Sequence, residues 1–107
     1  MSEQPAVPFD IIFSPEARDD LKHLYVFVAE RSSEERALAY VERIEVFCGR
    51  LSTFPQRGMR RDDLRPGLRV IGFQRRVCIA FHIDATSVVF DRILYGGQNL
   101  STAFDRP

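Results

Sequence analysis

RVCIAFHI, residues 76–83, alternates in side-chain character along its whole length. Val77, Ile79, Phe81 and Ile83 fall on one side of an extended chain and Cys78, Ala80 and His82 on the other, the period of a strand rather than of a helix. Comparable runs flank it: LRVIGF at 68–73 and SVVFDRIL at 87–94, connected through Gln74-Arg75 and Asp84-Ala85-Thr86. Connections this short make hairpins, so the second half of the chain reads as an antiparallel meander of three strands. Its bulkier face, the one carrying Val77, Ile79, Phe81 and Ile83, needs an apolar layer to cover it.

The first half supplies that layer. FDIIF, residues 9–13, is a short β-branched and aromatic strand stopped by Ser14-Pro15-Glu16, where Ser14 is a natural N-cap and Pro15 a natural first helical residue. Ala17, Leu21, Leu24 and Val28 then form the stripe of an amphipathic helix ending near Arg31. Ser32-Ser33 restarts a second helix with the stripe Ala37, Val41, Ile44, Cys48 and Leu51, and Pro55 ends it. Two helices of about 17 and 21 residues with so short a break must fold back as a hairpin, because each stripe alone leaves an apolar face wet. The predicted fold is α+β: an N-terminal strand, then an antiparallel helical hairpin packed on a small antiparallel sheet, in the order β-α-α-β-β-β. One domain is expected over residues 9–100, with a flexible leader at 1–8 and a C-terminal tail at 101–107.

Size and composition agree with a single core, since 107 residues containing 45% hydrophobic residues and nine Phe can fill two packed layers and no second domain. No apolar run approaches the roughly 20 residues of a membrane span, and MSEQPAVP lacks the basic start and apolar stretch of a signal peptide, so the expected location is cytoplasmic. Cys48 and Cys78 lie among apolar neighbours and read as buried, reduced thiols. Neither they nor His23 and His82 show metal-ligand spacing, so no metal or other cofactor is expected.

A formal net charge of zero conceals an asymmetry. Residues 1–56 carry ten acids against six bases and residues 57–107 carry five against nine, so the halves are −4 and +4. Fourteen of the fifteen basic residues are Arg, the side chain suited to bidentate contact with carboxylates or phosphates. QRGMRRDDLRPGLR, residues 56–69, holds five of them without a helix or strand pattern and reads as an exposed basic loop. Arg69, Arg75 and Arg76 extend the charge as a band along the sheet edge, which fits an acidic protein segment or a nucleic acid.

Chemistry is harder to find. No Ser or Cys stands beside a His, no carboxylate pair lies in an apolar setting, and Gly96-Gly97 lacks the following Lys and helix of a phosphate loop. The glycine pair reads as a chain reversal out of the sheet. Tyr95, at the strand exit, is the aromatic residue with the best claim to a function.

With the strand, helical hairpin and meander in this order, four local features resemble the RelE/ParE superfamily of bacterial toxins over roughly residues 9–100. They are the Ser14-Pro15-Glu16-Ala17 helix start, Phe54-Pro55-Gln56-Arg57-Gly58, the Arg69-containing strand, and Arg92-Ile93-Leu94-Tyr95-Gly96. The last is similar to the ParE branch, where this exit commonly reads Arg-Val-Leu-His-Gly followed by basic residues; here Gly97, Gln98 and Asn99 bring no charge. The resemblance implies the toxin of a type II toxin–antitoxin pair that poisons DNA gyrase by binding, performs no catalysis, does not itself bind DNA sequence-specifically, and is neutralised by a ParD-like antitoxin. The alternative it carries is a RelE-like ribosome-dependent messenger endonuclease, whose scissile phosphate needs several fixed cations; Arg76 is the one clear candidate for such a cluster. Residues expected to contact an antitoxin are Leu24, Val28, Met59, Arg60, Arg61, Arg69 and Arg76, and those expected to contact the target are Arg92, Tyr95, Gln98 and Asn99.

Overall fold

In the computed structural model of the chain, residues 7–104 are described. They form β1 (Asp10–Phe13), α1 (Pro15–Arg31), α2 (Glu34–Gly49), a 3-10 turn (Arg50–Ser52), β2 (Met59–Arg60), β3 (Arg69–Phe73), β4 (Val77–Asp84), β5 (Ser87–Tyr95) and α3 (Leu100–Ala103). Both long helices start as their sequences require. Ser14 Oγ accepts from the Ala17 N–H at 3.0 Å and Ser33 Oγ from the Arg36 N–H at 3.1 Å, each satisfying an amide that the first helical turn leaves unpaired. Ser14 Oγ also donates to the Asp91 carbonyl, which ties the entry of α1 to β5.

The five strands lie in the order β1-β5-β4-β3-β2, with β1 parallel to β5 and the remaining pairs antiparallel. The sheet is therefore mixed, not wholly antiparallel as the sequence suggested. The helical hairpin carries the chain across the sheet, so β1 reaches the free side of β5 by a crossover and aligns Asp10 with Ser87 through Phe13 with Phe90. Two further departures concern short elements. The second helix tightens into a 3-10 turn after Gly49, which buries Leu51 and leaves the Ser52 carbonyl to accept from the Phe9 N–H at 2.7 Å. The loop predicted over 56–69 contains β2, where Met59 and Arg60 pair with Val70 and Arg69. Gly58 makes that pairing possible: its φ is +80°, and a Cβ there would stand 2.4 Å from the Val70 carbonyl oxygen.

The bulky face of β4 meets the hairpin as expected. Val77, Ile79 and Phe81 join Leu21, Leu24, Ile44, Cys48, Val88, Phe90 and Ile93 in one core. The opposite face is covered too, in a way not foreseen: Phe104 packs on Leu68 and Ala80, with Leu64, Leu100 and Ala103 around them. Residues 101–104 of the expected tail thus belong to the fold, while residues 105–107, and 1–6 of the expected leader, lie outside the described residues. Cys48 is buried as expected, but Cys78 is only half-buried.

A bulge in β5 organises the polar part of the interior. Ala80 pairs with Arg92 and Phe81 with Phe90, leaving Asp91 without a partner on β4. Asp91 and Arg92 consequently serve different neighbours. The Asp91 carboxylate takes His82 Nδ1 at 2.7 Å and Arg65 Nη1 at 3.4 Å. Arg92 instead forks onto the buried Asp20 of α1 through Nε at 2.8 Å and Nη2 at 2.9 Å, while the Ile93 N–H reaches the same carboxylate at 2.8 Å.

Candidate partner-binding site

Three of the residues singled out from the sequence come together. Val28 near the end of α1, Arg76 just before β4 and Tyr95 at the end of β5 line one concavity of about 490 Å³ between the helical hairpin and the β3–β4 turn. The turn is set by Gln74 and Arg75, both with positive φ (52° and 63°), as a two-residue hairpin loop that follows the sheet's twist requires. Gly96 N–H then donates to the Arg76 carbonyl at 3.0 Å, so the end of β5 is fastened beside the turn.

The same concavity is lined by Arg36, Tyr40 and Arg43 of α2, which the sequence reading did not select as functional. Their signal lay in the spacing of charged residues along the exposed side of a helix, whereas the periodicity used to find the helix was that of its apolar stripe. Tyr40 and Tyr95 meet edge to face with centroids 6.4 Å apart, and Arg43 stands over the Tyr40 ring at 5.3 Å. Burial, reinforced by Tyr95, pushes the Tyr40 hydroxyl above its ordinary pKa of 10.0 against the opposing pull of Arg43 and Arg76. The lining holds three guanidiniums and two phenols but no His, Asp or Glu. It can therefore attract an anion, but it contains no group suited to accept a proton near neutral pH.

The other arginines are disposed differently from the band expected. Met59, Arg60, Arg61 and Arg69 gather around β2 and the start of β3, at the end of β3 opposite the turn that precedes Arg76. Much of the charge there is already paired. Arg60 forks onto Asp62 at 3.0 and 3.3 Å, and Arg61 forks onto Asp63 at 2.9 Å through both nitrogens. Asp62 sits below its ordinary pKa chiefly because the Gly67 N–H donates to it, with Arg60 adding to the effect; Asp63 is lowered mainly by Arg61. Arg69 points to the Arg57 carbonyl at 3.4 Å. Met59 is 68% exposed and offers the loop's apolar contact.

Several expected contact residues are engaged within the fold. Leu24 is 3% exposed and belongs to the core, so it offers a partner little surface. Arg92 is committed to Asp20, whose hydrogen bonds hold its pKa above the ordinary arginine value. Gln98 Oε1 accepts from the Tyr95 N–H at 2.7 Å and closes the glycine turn. Asn99 Oδ1 caps α3 by accepting from Ser101 and Thr102. Of the four residues expected to meet the target, Tyr95 lines the concavity beside Arg76, and its side chain serves as neither a cap nor an ion pair.

Among the described residues no group of three or more His, Cys, Asp or Glu side chains could hold a metal ion. No helix among them is long and apolar enough to cross a membrane.

Comparison with known proteins places this geometry in context. The family profile described as the ParE toxin of the type II toxin–antitoxin system parDE matches residues 11–100. Toxin ParE3 of Caulobacter vibrioides is 38% identical over 82 residues, which covers 77% of this chain and 81% of the relative. A chain of the chromosomal ParDE system from P. aeruginosa superposes with a TM-score of 0.72 at 21% identity, covering 82% of this chain and 96% of that one. A chain of the RelBE2 toxin–antitoxin complex of Mycobacterium tuberculosis follows at a TM-score of 0.58 and 28% identity, covering 86% and 95%.

Proposed function

The chain belongs to the ParE toxin family of type II toxin–antitoxin systems, and from that premise we propose that it acts in the cytoplasm by binding DNA gyrase and is neutralised by a ParD-like antitoxin. No chemical step is assigned to it. Holding gyrase in its DNA-cleaved state stops religation by binding alone, so the toxin needs a recognition surface and not a set of reacting groups.

The observation that supports binding over catalysis is the make-up of the concavity around Arg76 and Tyr95. Cleavage of RNA by its own 2′-hydroxyl needs a group to take that proton as well as cations to hold the phosphate. Arg36, Arg43 and Arg76 supply the cations, but the two phenols beside them are poor bases and Tyr40 is made poorer by burial. Arg92 is tied to Asp20, and the His82–Asp91 pair owes its place to the bulge of β5.

On this reading Tyr95 faces the target, while Met59, Arg60, Arg61, Arg69 and Arg76 are contacts for the antitoxin, with Val28 at the margin of the concavity. Induction of the chain in bacteria tests the proposal when plasmid supercoiling, DNA breaks and message integrity are followed together. The expected result is gyrase-linked breaks with intact messages. Codon-specific message cleavage that disappears with Arg76→Ala would establish the RelE-like endonuclease instead.

A further inference from the structure

Two matched seams run along the outer groove of the helical hairpin, on the side of α2 opposite Arg36 and Arg43. Arg18, Lys22, Tyr25 and Ala29 follow one another on α1 at steps of four, three and four, and Glu34, Leu38, Val41 and Glu45 do the same on α2. Because the helices are antiparallel, Arg18 and Lys22 lie level with Val41 and Glu45, and together with Tyr25 they line a groove of about 390 Å³. Leu38 is 53% exposed, and Val26, beside the α1 seam, is 50% exposed.

The charges of this groove are sorted by helix. The charged positions of the α1 seam are cations and those of the α2 seam are carboxylates, and none of Arg18, Lys22, Glu34 and Glu45 has an ion-pair partner among the described residues. Glu42, exposed one turn before Glu45, adds to the acidic side. The exposed acids of α1, Glu16, Asp19 and Glu30, fall on its other side with His23, just as Arg36 and Arg43 fall on the other side of α2. A ligand for the groove must therefore set carboxylates against α1 and cations against α2, with apolar side chains between them. Nucleic acid brings one sign only, whereas a second copy of this chain brings both.

We infer that two copies of the chain associate through this face, hairpin on hairpin, about a twofold axis parallel to the helices. Such an axis lays α1 of one copy over α2 of the other at the same level. Arg18 and Lys22 then meet Glu42 and Glu45 of the second copy, and the contact is made twice, on either side of a centre built from Tyr25, Leu38 and Val41. An axis across the helices would lay α1 on α1 and set like charges together, so the charge pattern selects the first arrangement. The product is a closed four-helix bundle with the same patch used by both copies. Helices of 17 and 16 residues give a footprint of roughly 25 by 20 Å, so the pair buries ~1,000 Å² in total, the extent of a weak, reversible interface. The face lies apart from Tyr95 and from the β2 edge, and neither the target nor the antitoxin contacts assigned above use it.

Analytical ultracentrifugation of the purified full chain between about 1 µM and about 1 mM should show a monomer–dimer equilibrium that salt weakens. Arg18→Glu with Lys22→Glu in one variant, and Glu42→Lys with Glu45→Lys in another, should each weaken self-association by about tenfold or more. Mixed in equal parts, the two variants should pair with each other, because α1 of either then faces an oppositely charged α2; loss of structure cannot produce that exchange. Circular dichroism verifies that each variant is folded, and the single changes Lys22→Glu and Glu45→Lys supply the same comparison where a double variant is not. A chain that stays monomeric throughout, a dimer indifferent to both reversals, or mixed variants that fail to pair would overturn the inference. Capture of a co-expressed antitoxin that the same reversals abolish would give this face to that partner and overturn it as well.

Discussion

Replacing Asp20 by Asn probes the link between the core and the residues first suspected of function. The carboxylate is 7% exposed and accepts from Arg92 Nε, Arg92 Nη2 and the Ile93 N–H. Asn keeps the shape but has one acceptor oxygen, and its amide would confront a guanidinium that can only donate. One or two charge-assisted hydrogen bonds are lost, each contributing about 1.5–3 kcal/mol, and a cation remains half-sheltered without a partner. Breaking one side of a buried pair costs about 3–5 kcal/mol, and because the Arg92 side chain is 25% exposed, water offsets part of this. The expected loss is therefore about 2–4 kcal/mol, or a fall in Tm of at least about 10 °C for a domain of this size. Urea unfolding and a thermal scan measure it. Asp20→Leu combined with Arg92→Met should recover most of the loss, because the matched apolar pair leaves no charge stranded. A stability change for Asp20→Asn within about 0.5 kcal/mol would refute the structural role given to Arg92 and return that residue to the target surface.

Three other perturbations address the basic edge. Arg60→Glu with Arg61→Glu should leave Tm nearly unchanged, because both forks are exposed, yet slow association with an acidic antitoxin and flatten its salt dependence in stopped-flow measurements. Gly58→Ala should destabilise by more than about 1 kcal/mol, because a positive φ and a backbone clash coincide there, and the β2 amides should lose hydrogen-exchange protection. The Asp62 and Asp63 carboxyls should titrate below their ordinary value of 3.8 by NMR. Since their folded values are the lower ones, the stabilisation these two carboxylates lend the loop is fully present above 3.8 and is lost as pH falls through the lowered values.

What the sequence disclosed, and what it withheld, follows from the range of each interaction. Ser14-Pro15, the two apolar stripes and the β3-β4-β5 meander are local signals, and each appears in the structure close to where it was read, although α2 ends at Gly49 and not at Pro55. The parallel pairing of β1 with β5 joins Asp10 to Ser87, and nothing in either run specifies that partner. β2 is two residues long and one of them is Arg, so neither alternation nor composition announces it. The Arg92–Asp20 fork spans 72 positions, and without it Arg92 looks like a free cation beside Tyr95. Asn99 read as a target contact and Phe104 as a tail residue, because a cap shows only once α3 has formed and a single aromatic side chain only once Leu68 and Ala80 are in place opposite. The site was thus partly legible: Val28, Arg76 and Tyr95 do converge, whereas Arg36 and Arg43 were passed over because they sit between the apolar positions used to recognise α2.

The most direct test of binding without chemistry is the fraction of plasmid that purified gyrase leaves as linear, protein-linked DNA when the purified chain is added, scored beside message integrity on translating ribosomes exposed to the same preparation. The account predicts that linear DNA accumulates with toxin concentration while every message stays whole. Cut messages beside an unchanged plasmid would contradict it.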